Sequence, residues 1–325
     1  MRVCEFDLAP SGYYSSRTTQ HSVENVHRCQ KDLDQPAIIA RNSALCTHAP
    51  QPKPRTASLA AHPRHLRKAK NMIFRTEHYR VLRFSGVDAL AFLQSQLTND
   101  VAALSIGRWQ WQGYCTAKGR LQATFALART AADTFDAVVP TSTIEALAKR
   151  LTMFRLRSKL SIEIATDRAV VLTNVTATEE SPATATLRLP DGRAILLMLQ
   201  DDVASIPLAD NAAWTDWQLA NINALIPEIT AATNEMFVPQ MIGWDTIAPG
   251  GGVSFSKGCY PGQEIVARAH YRGAVKRHLE RVEYALARQE MMPEVGVTIT
   301  LADGRMVEVC NSVLRNDAVV ALVVA

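Results

Sequence analysis

No stretch of this 325-residue sequence is apolar over the length a bilayer requires, which predicts a soluble protein. Paired cysteines are missing as well. The six cysteines stand singly at positions 4, 29, 46, 115, 259 and 310, with no Cys-x-x-Cys and no Cys/His ligand spacing. That pattern argues against a zinc site or a local iron–sulfur site, and no permanently bound metal is expected. Scattered thiols suit a reducing compartment better than a disulfide framework, so the expected location is the bacterial cytoplasm or, in a eukaryote, the mitochondrial matrix. Acidic residues are absent from Gln35 to Thr76, where Arg41, Lys53, Arg55, Arg64, Arg67, Lys68, Lys70 and Arg75 fall. Part of the net charge of +4 therefore belongs to that segment.

Residues 1–71 also lack helical and strand periodicity and an apolar signal-peptide core. Pro50, Pro52, Pro54 and Pro63 punctuate them. The second half has the composition of a transit peptide, but Glu5, Asp7, Glu24, Asp32 and Asp34 in the first half argue against import. The segment is expected to be disordered, or a spurious extension ahead of a start near Met72. A basic arm for nucleic acid is the weaker alternative, because aromatic interleaving and helical spacing are both missing.

What remains is rich enough to fold. Hydrophobic residues make up 47% of the chain, and its length admits two or three domains. Tyr79 to Phe84 reads as a strand, and Ser85 caps a helix carrying Val87, Leu90, Leu93 and Leu97. Trp109 to Cys115 and Leu121 to Leu127 read as strands joined at Lys118-Gly119, with a further strand from Phe135 to Val139. Ser142 and Glu145 form a capping box for a helix ending near Met153. Short strands follow at Ile162–Ile164, Val170–Leu172, Leu187–Leu189 and Ala194–Leu199, the last two joined by Asp191-Gly192. A helix begins at Trp214, runs past Asn221 and is stopped by Pro227. Beyond that only strands are expected: Val266–Ala269, Leu279–Tyr284, Val297–Leu301, Met306–Val309 and Val319–Val324, with a hairpin turn at Asp303-Gly304. This order predicts an α+β fold ending in a small all-β module.

The stretch Lys257-Gly258-Cys259-Tyr260-Pro261-Gly262-Gln263-Glu264 stands apart. It sets a thiol, an amine, a phenol, an amide and a carboxylate among glycines and offers little to a core. It predicts a tight exposed loop, hinged at Gly258 and Gly262 and stiffened by Pro261. Lys257 beside Cys259 would favour the thiolate. Against this, a lone cysteine is most often a small buried hydrophobe. Gln263 and Glu264 either orient the loop or, for Glu264, close it through an ion pair with Lys257.

The octapeptide resembles the signature of the YgfZ family, folate-binding relatives of the glycine-cleavage T-protein, in which Lys-Gly-Cys-Tyr-x-Gly-Gln-Glu recurs. Phe237-Val238-Pro239-Gln240 is similar to the family's Phe-Ile-Pro-Gln element. Val266-Ala267-Arg268-Ala269 and Arg272-Gly273-Ala274-x-Lys276-Arg277 are similar to its downstream continuation. Phe92 to Val101 resembles its first helix and exit, and Ala117-Lys118-Gly119-Arg120 its hairpin turn. The likeness spans Met72 to about Leu301. It implies a T-protein-like multidomain fold of two mixed α/β domains and a C-terminal β-barrel around a central folate channel. The implied layout is a discontinuous folate-binding region at 72–165 and 213–265, an inserted small α/β region at 166–212, and the barrel at 266–325.

A reduced folate, tetrahydrofolate or a relative, needs apolar walls, a polar group for the pterin edge and cations for its glutamate tail. The resemblance puts Tyr79 and Trp217 where the family has pocket tryptophans, although either residue could be ordinary core. Asn223 stands where a glutamate grips the pterin, which trades a charge-assisted bond for a neutral one. Tyr260, Gln263, Glu264, Arg268 and Arg272 complete the candidate folate set. Arg268, Arg272 and Lys276 would hold the tail, a nucleic-acid phosphate, or simply solvent.

The family's implied role is folate-dependent support of iron–sulfur clusters in client enzymes, tRNA-modifying ones included, with Cys259 as the working thiol and Lys257 beside it at the mouth of the folate cavity. Turnover is not expected of such a factor. The alternative is a tetrahydrofolate-dependent aminomethyltransferase or demethylase, but Gln122 occupies the position of the T-protein acid and cannot act as a general base. Direct binding of tRNA ranks third, for want of RNP-like aromatics.

Overall fold

A computed structural model of the chain describes residues 72–174, 183–273, 275–286 and 291–325. The expectation of disorder for residues 1–71 lies outside them. Among the described residues, three antiparallel sheets and four α-helices make a mixed α and β architecture. Among the described residues no helix is long and apolar enough to cross a membrane.

The first sheet has the order β3-β4-β5-β2-β6, from β2 (Tyr79–Ser85), β3 (Trp109–Cys115), β4 (Leu121–Ala131), β5 (Thr134–Pro140) and β6 (Ser161–Ile164). Alternation along its strands separates two cores. Leu82 and Phe84 of β2, Phe125 and Leu127 of β4, and Phe135 and Val139 of β5 pack on α1 (Ala89–Gln96) and α2 (Thr141–Arg155). Tyr79 and Val81, Ala126 and Ala128, and Val138 face the other way, towards a second core built around Trp217. One strand thus serves two cores, and only residues of one parity reach the second.

The second sheet has the order β1-β7-β9-β8, from β1 (Ile73–Thr76), β7 (Arg168–Thr173), β8 (Ala185–Arg188) and β9 (Ala194–Leu199). Its Asp191-Gly192 hairpin forms as expected, with Gly192 at φ +89°. β1, from the start of the globular sequence, joins this sheet by pairing with β7. α3 (Asn211–Asn223) starts where Asp210 accepts a hydrogen bond from the Ala213 N–H at 2.7 Å. α4 spans Gln263–Arg272. The third sheet, β10-β13-β12-β11, comprises β10 (Leu279–Ala285), β11 (Thr298–Thr300), β12 (Met306–Arg315) and β13 (Ala318–Val324). Among the described residues it is a four-stranded, half-barrel-like sheet with no pairing between β10 and β11. A bulge in β12 between Val309 and Asn311 turns Cys310 into the core.

Three local expectations are corrected. Ser85 caps no helix: it ends β2, and α1 starts after Asp88, which leaves Val87 exposed outside it. Ser142 and Glu145 form no capping box: α2 starts directly after Pro140, and Glu145 pairs instead with Arg80 at 3.3 Å. The strand expected at Val266–Ala269 is the middle of α4. Ile265-Val266 mimics a buried strand, but Val266 alone in the helix is fully buried, and Gln263, Glu264, Ala267, Arg268 and Ala269 are all at ease in a helix.

Candidate functional site

The second core closes around a small cavity of about 30 Å³. Tyr79 from β2, Trp111 from β3, Trp217 and Asn221 from α3, Glu228 and Trp244 line it. Trp111 and Trp244 meet edge to face at 5.4 Å. The Arg193 guanidinium lies 4.3 Å over the Trp217 ring, held by Asp191 at 2.7 Å. From there a chain of polar contacts runs into the cavity. Arg193 donates to Asn221 Oδ1 at 2.8 Å, Asn221 Nδ2 donates to Glu228 Oε1 at 3.4 Å, and the Tyr79 hydroxyl donates to the same oxygen.

Glu228 is fixed from three sides. Its N–H donates to Asn311 Oδ1 at 3.0 Å, the Ile229 N–H donates to Thr124 Oγ1 at 3.0 Å, and its carbonyl faces the Cys310 thiol. Some of the residue reaches the surface, but its carboxyl group is enclosed, and desolvation pushes its pKa up to about 7. Burial also leaves Trp217 Nε1 and Arg193 Nη2 without partners among the described residues. The cavity lining therefore holds one acceptor carboxyl, on Glu228, and an unpaired donor, on Trp217, within aromatic walls.

Sequence reasoning missed Glu228. Asn223, where an amide was expected to meet the pterin, lies exposed at the end of α3, and its Oδ1 accepts from Arg281 Nε at 2.8 Å. A signal existed in Ile226-Pro227-Glu228-Ile229, where a carboxylate sits inside an apolar run. Gln122 is engaged elsewhere, donating to Glu235 at 2.7 Å on the exposed surface.

The cysteine loop is a separate structure. Cys259 and Gly258 are exposed, whereas Lys257 and Tyr260 on either side are buried. The Lys257 ammonium does not serve the thiol. It donates to the carbonyls of Gln94 at 2.6 Å, Leu97 at 2.5 Å and Asn99 at 3.1 Å, capping the C-terminal end of α1. Its Nζ also lies 5.3 Å over the Tyr260 ring. Desolvation pushes its pKa down to about 8, opposed by the charge of Asp100. The expected role of Lys257 as thiolate promoter is thus replaced by a structural one: three unpaired carbonyls attract an ammonium more strongly than a solvated neighbour does. The Tyr260 hydroxyl has no partner among the described residues.

Gly262, at φ +82°, turns the loop into α4, and a Cβ there would collide with the Thr116 carbonyl. Gln263 steadies the loop from the helix side, its N–H donating to the Tyr260 carbonyl at 3.1 Å and its amide to the Lys257 carbonyl at 3.4 Å. Glu264 is exposed in the first turn of α4 and is not the ion-pair partner of Lys257. Arg268 and Arg272 are exposed further along that helix. Of the residues named from sequence, Tyr79 and Trp217 therefore share the aromatic cavity. Lys257, Tyr260 and Gln263 share the loop, Glu264, Arg268 and Arg272 share α4, and Asn223 stands apart. Cys259 is not among the residues lining the cavity.

No family model matches the chain. Individual relatives do. The chain is 30% identical over 245 residues to the tRNA-modifying protein YgfZ of Vibrio vulnificus, covering 69% of this chain and 73% of the relative. It is 32% identical over 235 residues to the tRNA-modifying protein YgfZ of Edwardsiella ictaluri, covering 64% and 69%. Among solved structures, the glycine cleavage system aminomethyltransferase T from Bartonella henselae superposes with a TM-score of 0.54 at 15% identity, over 78% of this chain and 77% of that one, a likeness of fold. With relatives at that identity and coverage, and with the octapeptide intact around an exposed cysteine, the chain belongs to the YgfZ family.

Proposed function

We propose that this protein is a folate-dependent accessory factor that supports assembly or repair of iron–sulfur clusters in client enzymes, tRNA-modifying enzymes among them, with Cys259 as its working thiol. The observation that carries the reading is the contrast among its cysteines. Cys115 and Cys310 are sealed in the core, where burial pushes each pKa up to about 12, while Cys259 is exposed between buried Lys257 and Tyr260. Its thiolate would bind iron of a client's cluster as a transient ligand and release its proton to water, with no electrons exchanged. One thiolate cannot hold a cluster alone, since clusters take about four protein ligands.

The aromatic cavity is the proposed folate site. The lining suits a pterin: Tyr79, Trp111 and Trp217 supply flat walls, the Glu228 carboxyl would meet the ring's amino and imino donors, and the unpaired Trp217 Nε1 would be a donor for its acceptors. At about 30 Å³ the cavity is smaller than a pterin ring, so admission of one requires its walls to part. A bound folate supplies a carrier of one-carbon units, and the residues of this chain bind and orient it. The aminomethyltransferase alternative is not favoured, because no carboxylate replaces Gln122 at its position.

Two measurements test the reading. Cys259→Ala is expected to fold and bind tetrahydrofolate as the parent does, yet to lose all support of cluster-dependent enzymes in a strain lacking the protein; full rescue by this variant overturns the assignment. Tetrahydrofolate is expected to quench tryptophan fluorescence in the parent and not in Trp217→Leu. Unchanged quenching in that variant moves the folate site elsewhere.

A further inference from the structure

We propose that the exposed face of α4, together with the rings of Phe255, His270 and Tyr271, binds single-stranded RNA. Arg268, Tyr271 and Arg272 lie three and four residues apart and so project from one side of the helix. All three are exposed, Tyr271 to 71%. Neither arginine, nor Lys276 just beyond the helix, forms an ion pair among the described residues, and α4 carries a single carboxylate, Glu264, in its first turn.

The tyrosine is held rather than loose. Phe255 and His270 stack at 3.7 Å and 17°, and the Tyr271 ring stands edge-on to both, 5.0 Å from His270 and 6.2 Å from Phe255. A ring braced on one side and open on the other is a platform for a nucleobase, and stacking of this kind tolerates any base. The cations beside it are several, Arg268 and Arg272 on the helix and Lys276 beyond it, as a chain of phosphates requires. Lys118 extends them: Gly119 backs onto Ile265 of α4, with an added Cβ 3.0 Å away, so the β3–β4 turn lies against the start of the helix. A polyglutamate tail would satisfy the cations and leave the rings without purpose.

The choice of RNA over other strands rests on the role in tRNA modification proposed above. The test is fluorescence anisotropy of a labelled, unstructured twelve-nucleotide RNA with the full chain at several salt concentrations. Tyr271→Ala is expected to weaken binding about tenfold or more, and Tyr271→Phe, which keeps the ring, to retain it. Arg268→Gln combined with Arg272→Gln is expected to weaken binding and to lower the slope of log K against log salt by about 1.4, the value for two phosphates on a single strand. Melting temperatures of all variants are measured alongside. Equal binding by Tyr271→Ala and the parent overturns the proposal. So does a DNA oligomer or heparin bound as tightly as the RNA, or full displacement of the RNA by pentaglutamate. The readout involves no cluster enzyme, so failure here leaves the assignment of Cys259 standing.

Discussion

In the aromatic cavity the polar groups turn inward and hold one another, whereas in the cysteine loop they divide, Lys257 and Tyr260 turning inward and Cys259 outward. The cavity takes Tyr79, Asn221 and Glu228 from distant parts of the chain and encloses them among tryptophans, with Arg193 behind Asn221. The loop takes neighbours in sequence and sends them to opposite environments: Lys257 into the protein, Cys259 to solvent, Tyr260 back inside. The difference teaches what each region can do. A buried carboxyl with a raised pKa suits recognition of a ligand that itself displaces water. A thiol lifted on two buried anchors suits contact with another macromolecule, because its exposure is enforced by its neighbours rather than left to chance.

The sharpest way to break the contrast is to remove the anchor. Lys257→Met leaves three carbonyls at the end of α1 without a donor and is expected to destabilise the protein by about 4 kcal/mol, at roughly 1–3 kcal/mol for each unsatisfied group with partial relief from water. Urea titration measures it; a loss below about 1 kcal/mol would mean the ammonium is dispensable there. A second test acts on the cavity through pH. The Glu228 pKa is raised when folded, so the folded protein binds this proton more tightly than the unfolded chain does. Its stabilising effect is complete below the ordinary carboxyl range and lost as pH rises through about 7. Between pH 5 and pH 8 the parent is expected to lose about 2 kcal/mol relative to Glu228→Gln, allowing for the residue's partial exposure. Parallel stability curves for the two proteins would place the titration elsewhere. The smallest effect is expected at the thiol itself. Cys259→Ser should change stability by less than about 0.5 kcal/mol, since nothing packs on an exposed side chain of this kind. A large loss in a thermal melt would make Cys259 part of the core after all.

Much of the fold was legible because it is local. The Asp191-Gly192 and Asp303-Gly304 hairpins form with both glycines at positive φ, as the turn chemistry dictates. The strands of the first sheet follow their alternation. α4 was not legible, because two adjacent apolar residues in a polar stretch fit a strand as well as a helix with one buried contact. That misreading hid the aromatic surface too: Phe255 meets His270 and Tyr271 only when the intervening segment coils.

The sequence by itself determined most of the strands and helices, the glycine-hinged loop and the exposure of its cysteine, all consequences of residues within a few positions of one another. Tertiary structure alone decided which partners the buried ionisable groups at the two sites found. Lys257 reaches Leu97 across 160 residues, and Tyr79 reaches Glu228 across 149. A buried charge takes whichever unsatisfied group the packing brings within hydrogen-bond range, and at such separations that choice is made by how the sheets and helices meet.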